Sequence, residues 1–196
     1  QSRDYEVVVY DDGSTDETAE VLAPYAKVLP LTVLHGAGRR GTAVAVEALC
    51  RHVVAHTRYP RRDALVLMQG DFTDRPEDLP ELLRRFEGGA DLVVGTREPD
   101  DALPAGEQRL RRLGAWVLKP LVRVRGLPDL LPAMRLFRVS VLRDLLRTRG
   151  DGPLLSADGW SGAVELVVGA APHARRVETL PLAGNHAIRV RESRLV

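Results

Sequence analysis

The sequence has one cysteine, Cys50, and only two lysines, Lys27 and Lys119, among its 28 basic residues. One cysteine excludes an intramolecular disulfide and any cysteine metal cluster, and it fits a reducing compartment. The longest apolar runs, such as Ala64–Met68, are far too short to span a bilayer. Net charge is +1, so no global field points to nucleic acid, and none is expected as a partner. The five histidines, His35, His52, His56, His173 and His186, form no recognisable catalytic spacing. No initiator methionine and no signal peptide are present; the chain opens at Gln1, and an incomplete N-terminus is expected.

What remains is an ordinary globular composition, 44% hydrophobic and 28% charged over 196 residues, enough for one domain with a sizeable core. β-Branched and apolar runs predict strands at Glu6–Tyr10, Leu31–His35, Ala64–Met68 and Asp91–Gly95. Between them, helical periodicity predicts helices at about Glu17–Ala26, Thr42–His56 and Pro76–Phe86. Ser14, Thr15 and Asp16 are candidate N-caps for the first helix, and Asp74 for the third. This alternation predicts an α/β fold with a mostly parallel sheet flanked by helices and right-handed crossovers. Further on, a helix is expected at Glu107–Arg125 with Arg109, Arg111, Arg112, Lys119 and Arg123 on its basic face. A strand at Met134–Val139, helices at Val141–Arg147 and Trp160–Val168, and a last strand at Arg176–Leu182 complete the reading.

Parallel sheets bind ligands outside the carboxyl ends of their strands. Those ends carry Asp11-Asp12, His35-Gly36, Gln69-Gly70-Asp71 and Gly95-Thr96-Arg97. Three of the four are charged, which core packing does not require. Gly36-x-Gly38-x-x-Gly41 also matches a dinucleotide-binding pattern. It follows an acidic loop rather than opening the first crossover, and the next strand ends in Gln69-Gly70 where an acidic residue is wanted. A nicotinamide-dependent enzyme is therefore the minor alternative.

Taken together, EVVVYDDGSTDETAEVL, GRRGTAVAVEAL, VLMQGDFTDRPEDLPELL and ADLVVGTRE resemble glycosyltransferase family 2, the inverting GT-A fold. The branch they resemble is that of dolichol-phosphate mannosyltransferases and related polyprenyl-phosphate glycosyltransferases. Asp129–Arg138 is similar to the family's D-x-x-x-G-F-R segment, Arg176–Leu182 to its late Glu-x-Pro strand, and Arg191–Leu195 to its G-x-S-K-L. The resemblance implies one GT-A domain over residues 1–196, with a nucleotide-binding half at 1–98 and an acceptor-side half at 99–196. It also implies a missing first strand.

The same resemblance assigns Asp11, Asp12, Gly13 and Ser14 to the nucleoside, and Arg40 and Gly41 to the loop beside the nucleotide. Asp71 and Gln69 take the places of the family's metal-holding D-x-D, with Gln69 standing where the first aspartate is usual. A divalent Mg²⁺ or Mn²⁺ is implied, held more weakly for the lost charge. Arg97, Asp129 and Arg135 fall where phosphate, sugar or acceptor contacts are made. Arg189, Ser193 and Arg194 fall where the family closes a segment over the diphosphate. The implied partners are a GDP- or UDP-sugar donor and a lipid-phosphate acceptor, with cytoplasmic location and peripheral contact with a membrane through the basic face of Glu107–Arg125. Two readings stay open beside catalysis of transfer: a GT-A-like binding protein impaired at Gln69, and the nicotinamide enzyme.

Overall fold

The structure is a computed structural model that describes residues 4–71, 73–97 and 132–182. The expected helix at Glu107–Arg125 and the residues Asp129, Arg189, Ser193 and Arg194 lie outside the described residues.

Six strands and five helices are present among the described residues. β1 (Val7–Asp11) pairs in parallel with β2 (Leu31–His35), from Val7 opposite Leu31 to Asp11 opposite His35. Four strands form a second sheet in the order β3, β5, β4, β6, where β3 is Ala64–Leu67, β4 Leu92–Arg97, β5 Pro132–Arg138 and β6 Val177–Leu182. The helices are α1 (Thr18–Leu22), α2 (Thr42–His56), α3 (Leu79–Glu87), α4 (Val139–Arg149) and α5 (Gly159–Ala170).

The α/β architecture agrees with the sequence, but its sheet is less parallel than expected. β5 runs antiparallel between β3 and β4, so these two strands keep a common direction without touching as neighbours. β4 and β6 are parallel. Consequently the chain ends of β3 and β4 still face the same edge.

Local differences have local causes. The first helix stops at Leu22 because Pro24 follows, and the chain goes on as a short 3-10 turn at Tyr25–Lys27. The third begins as a 3-10 turn at Pro76–Asp78 before α3. Asp74 does not cap it; its carboxylate turns back to accept the Gln69 N–H at 2.8 Å.

The four-stranded sheet is covered on both faces, following the period of two along its strands. Leu92, Val94 and Phe137 pack toward α2, α4 and α5, against Cys50, Leu142, Leu145 and Leu166. Val93, Met134, Leu136 and Leu180 pack toward Leu82 of α3. Phe137 is wholly buried, so its truncation to alanine would cost about 3–5 kcal/mol. β1 and β2 carry only half-buried side chains apart from exposed Val7 and His35, and none of them joins either cluster.

Candidate functional site

Two turns at the carboxyl ends of β1 and β3 carry the candidate site. The first follows β1. Asp11 Oδ1 accepts the Ser14 N–H at 2.9 Å, an Asx-type turn, and its other oxygen lies 3.6 Å from His35 Nδ1. Hydrogen bonds from Ser14 hold the Asp11 carboxyl below the usual carboxylate range, with His35 adding to the effect against a smaller opposing influence of burial.

Asp12 faces the other way. Its Oδ1 accepts the Arg40 N–H and its Oδ2 the Gly41 N–H, both at 2.8 Å. These N–H groups precede α2, whose Ala43 N–H is taken by Asp158 Oδ1 at 2.6 Å. Two carboxylates thus satisfy the start of one helix, where unpaired N–H groups and the helix dipole favour negative charge. Gly13 fits the same clasp. Its φ is +72°, and a Cβ there would lie 2.8 Å from the Gly38 Cα, so only glycine lets the two loops abut.

This arrangement also disposes of the dinucleotide reading. In that motif the pyrophosphate sits on the N–H groups of the helix start. Here Asp12 and Asp158 occupy them, and a diphosphate would meet two carboxylates.

The second turn follows β3. Thr73 Oγ1 lies 3.1 Å from Gln69 Oε1 and also bonds Asp71 Oδ1, while the Thr73 N–H donates to Asp71 Oδ1 at 3.1 Å. One buried hydroxyl therefore gathers the glutamine and aspartate oxygens on one side of the turn. Beneath it lies Arg135, opposite Leu67 of β3 and Val94 of β4. Arg135 is 7% exposed and sits on the Phe137 face of β5; its NH1 donates to the Ala163 carbonyl at 3.4 Å, and its Nε has no hydrogen-bond partner. Burial pulls its pKa down, opposed by the negative charge of Asp74. Asp74, 7% exposed, thus links the buried guanidinium to the backbone of Gln69.

The structure therefore brings Gln69, Asp71 and Arg135 into one neighbourhood, and Asp11 through Ser14 with Arg40 and Gly41 into another. Arg135 underpins the β3 turn from below rather than standing open to solvent. The backbone of Arg97 ends β4 at the same edge as that turn. Two residues were missed from sequence. Thr73 had a local signal, since Asp-x-Thr is the spacing of an Asx turn. Asp158 had the signal of an N-cap before Gly159, yet it caps no N–H of α5 and instead reaches a helix start 115 residues away. No group of three or more His, Cys, Asp and Glu that could hold a metal occurs among the described residues. No helix among the described residues is long and apolar enough to cross a membrane.

The chain is 29% identical over 97 residues to the dolichol-phosphate mannosyltransferase of Pyrococcus furiosus, covering 50% of this chain and 26% of that protein. It is 26% identical over 191 residues to a dolichyl-phosphate beta-glucosyltransferase of Trichomonas vaginalis, covering 92% of this chain and 53% of the relative. It thus spans about half the length, or less, of the curated relatives it matches. Among solved structures, S. aureus TarS 1-349 in complex with UDP-GlcNAc superposes with a TM-score of 0.57 at 17% identity, over 91% of this chain and 48% of that one. The mannosyltransferase of Pyrobaculum calidifontis in complex with GDP-Man and Mn²⁺ superposes with a TM-score of 0.55 at 24% identity, over 90% and 45%. At these identities the likeness establishes the fold, GT-A. The model of the family described as glycosyl transferase family 2 matches residues 1–146, and the chain belongs to that family.

Proposed function

We propose that this domain transfers a sugar from a nucleotide-diphosphate sugar to a polyprenyl phosphate with inversion at the sugar carbon. The observation that carries the reading is the oxygen pair at the end of β3, Gln69 Oε1 and Asp71 Oδ1, gathered by Thr73 on the edge where a GT-A site lies. Relatives named as acting on dolichyl and undecaprenyl phosphates support the acceptor class, and neighbours holding UDP-GlcNAc and GDP-Man support the donor class.

Hard oxygens, one anionic and one neutral, suit a divalent Mg²⁺ or Mn²⁺, so Asp71 and Gln69 would hold the ion. When bound, such an ion neutralises charge that grows on the diphosphate leaving group. Asp11, Gly13 and Ser14 line the turn assigned to the nucleoside, with the Asp11 carboxylate kept ionised to accept from ribose hydroxyls or base N–H groups. Asp12 locks the Arg40-Gly41 loop against that turn, so the Arg40 side chain starts from a fixed backbone. Arg135 and Asp74 fix the height of the β3 turn. A lipid phosphate is already ionised at neutral pH, so its oxygen attacks the sugar without a strong general base. The protein's share is then positioning and charge stabilisation. Arg97, Asp129, Arg189, Ser193 and Arg194 are assigned to the phosphates and acceptor, and peripheral contact with the membrane carrying the acceptor is part of this proposal.

Gln69 favours one second reading, a domain that binds a nucleotide-sugar without turnover. A thermal-shift panel of GDP- and UDP-sugars with and without Mn²⁺, followed by transfer to a short polyprenyl phosphate, separates the two. Mn²⁺-dependent stabilisation with product formation supports transfer. Stabilisation without product supports the binding reading. No response to any nucleotide-sugar refutes both.

A further inference from the structure

A second charged feature lies at the opposite end of β3. The loop joining α2 to β3 is Thr57–Asp63, and it is tightly built. Thr57 Oγ1 and the Tyr59 N–H both donate to Asp63 Oδ2, and the N–H groups of Arg62 and Asp63 donate to the Tyr59 carbonyl. The loop is tied to α4 where Ser140 N donates to the Pro60 carbonyl at 2.7 Å and Val139 N to the Asp63 carbonyl at 3.0 Å. Arg138 donates to the Arg61 carbonyl from the end of β5.

Between this loop and α4 is an open surface depression of about 400 Å³, lined by Arg58, Tyr59, Pro60, Arg61, Arg62 and Arg143. Four of its six lining residues are arginines. Among the described residues, the side chains of Arg58, Arg61 and Arg62 have no carboxylate partner. Asp63 is committed to its own loop, and Asp144 lies 3.7 Å from Arg143 and 3.6 Å from Arg147. Arg143 Nε is buried and makes no hydrogen bond. Arg62 lies over the Tyr59 ring at 5.9 Å, and Tyr59 is 60% exposed. Four like charges around one depression repel one another; Arg143, on α4, has Asp144 beside it at 3.7 Å, while Arg58, Arg61 and Arg62 are held on the tied loop without an acid among the described residues.

We infer that this depression is a phosphate-binding site, separate from the candidate site at the carboxyl edge. One guanidinium saturates a carboxylate through its two coplanar oxygens. Arginines that a loop and a helix contribute to one lining, with Tyr59 among them, offer more donors than a carboxylate uses and suit a tetrahedral anion with three or four acceptor oxygens. The volume falls within the range of small-ligand sites. β3 separates the two sites by its four residues, about 13 Å of extended chain, so one small anion cannot occupy both. The phosphate comes either from an anionic lipid headgroup or from a soluble metabolite.

The test uses the full chain in metal-free buffer with EDTA. Its probes are inorganic phosphate, read by thermal shift, and phosphatidylglycerol vesicles against phosphatidylcholine vesicles, read by sedimentation. The triple variant Arg58→Gln/Arg61→Gln/Arg62→Gln is compared with Arg84→Gln/Arg149→Gln/Arg176→Gln, which removes the same charge from other exposed positions. All six are surface residues, and circular dichroism checks that both variants fold. Loss of one charge-assisted contact weakens binding roughly tenfold, so the pocket variant should bind at least ~10-fold more weakly while the control keeps its affinity. A phosphate shift without vesicle binding identifies a soluble ligand. Vesicle binding that inorganic phosphate competes away identifies a headgroup. If the two variants behave alike with both probes, the inference is wrong. Should the glutamine variant misfold, Arg58→Lys/Arg61→Lys/Arg62→Lys keeps the charge and removes the planar fork, and unchanged phosphate affinity there overturns the inference equally.

Discussion

Gly41→Ala is a severe test of the double clasp on α2. Gly41 has φ +95°, where an alanine costs about 1 kcal/mol or more in backbone strain. Its Cβ would also overlap the Asp158 carboxylate, which must then leave the Ala43 N–H. Losing a carboxylate from a helix start costs ~1 kcal/mol. The single change should therefore destabilise by roughly 2–3 kcal/mol, lowering Tm by about 4–12 °C for a chain of this size. Asp158→Ala alone should cost ~1 kcal/mol. In the Asp158→Ala background the collision has gone and only the strain remains, so Gly41→Ala should cost about 1 kcal/mol there. Urea midpoints of the four proteins measure the cycle, with an expected coupling of about 1–2 kcal/mol. An equal cost of Gly41→Ala in both backgrounds would refute the claim that this glycine makes room for Asp158.

Three other predictions use the rest of the molecule. Asp91 is buried, which pushes its carboxyl up, but Arg175 and Arg138 outweigh burial and hold it below the usual range. A depressed folded value means its contribution is present above the unfolded pKa of about 3.9 and lost as pH falls through the folded value. Asp91→Asn should thus cost ~3 kcal/mol at pH 7 by denaturant titration, and the gap to the natural protein should narrow by pH 3; a constant gap counts against it. Gln69→Asp restores a negative charge beside Asp71, and calorimetry should show Mn²⁺ bound about tenfold more tightly; unchanged affinity would remove Asp71 as a ligand. Burial pushes the Cys50 thiol up to about 12, so a disulfide reagent at pH 8 should titrate one thiol in urea and none in the native chain.

The strands and helices of the first half were legible because each has its own periodicity between clear punctuation. The helix expected at about Thr42–His56 is α2, legible because Gly41 precedes it and its apolar face repeats every turn. The antiparallel insertion of β5 was not legible, because the strand read at Met134–Val139 carries no signal of its direction. Pairing is decided by neighbours far along the chain. The charged strand ends were visible in the sequence, and the family resemblance assigned two of them to the nucleotide and a metal. The carboxylate work of Asp12 and Asp158 was hidden, since their N–H partners lie 28 to 115 residues away. Arg135 shows the limit from the other side: its motif position was clear, but only the register of β5 places its guanidinium inside.

The separation of β1 and β2 from the four-stranded sheet has a consequence for local stability. A two-stranded ladder is marginal by itself, and this one contributes nothing to either buried cluster. Its amides should exchange with solvent through openings cheaper than global unfolding, well before those of β4 and β5. The turn assigned to the nucleoside therefore rides on a pair of strands with no fully buried side chain. A donor that binds only the closed form would slow exchange there first and by the larger factor, so nucleotide occupancy could be followed as protection of Val7–Asp11 without any turnover at all.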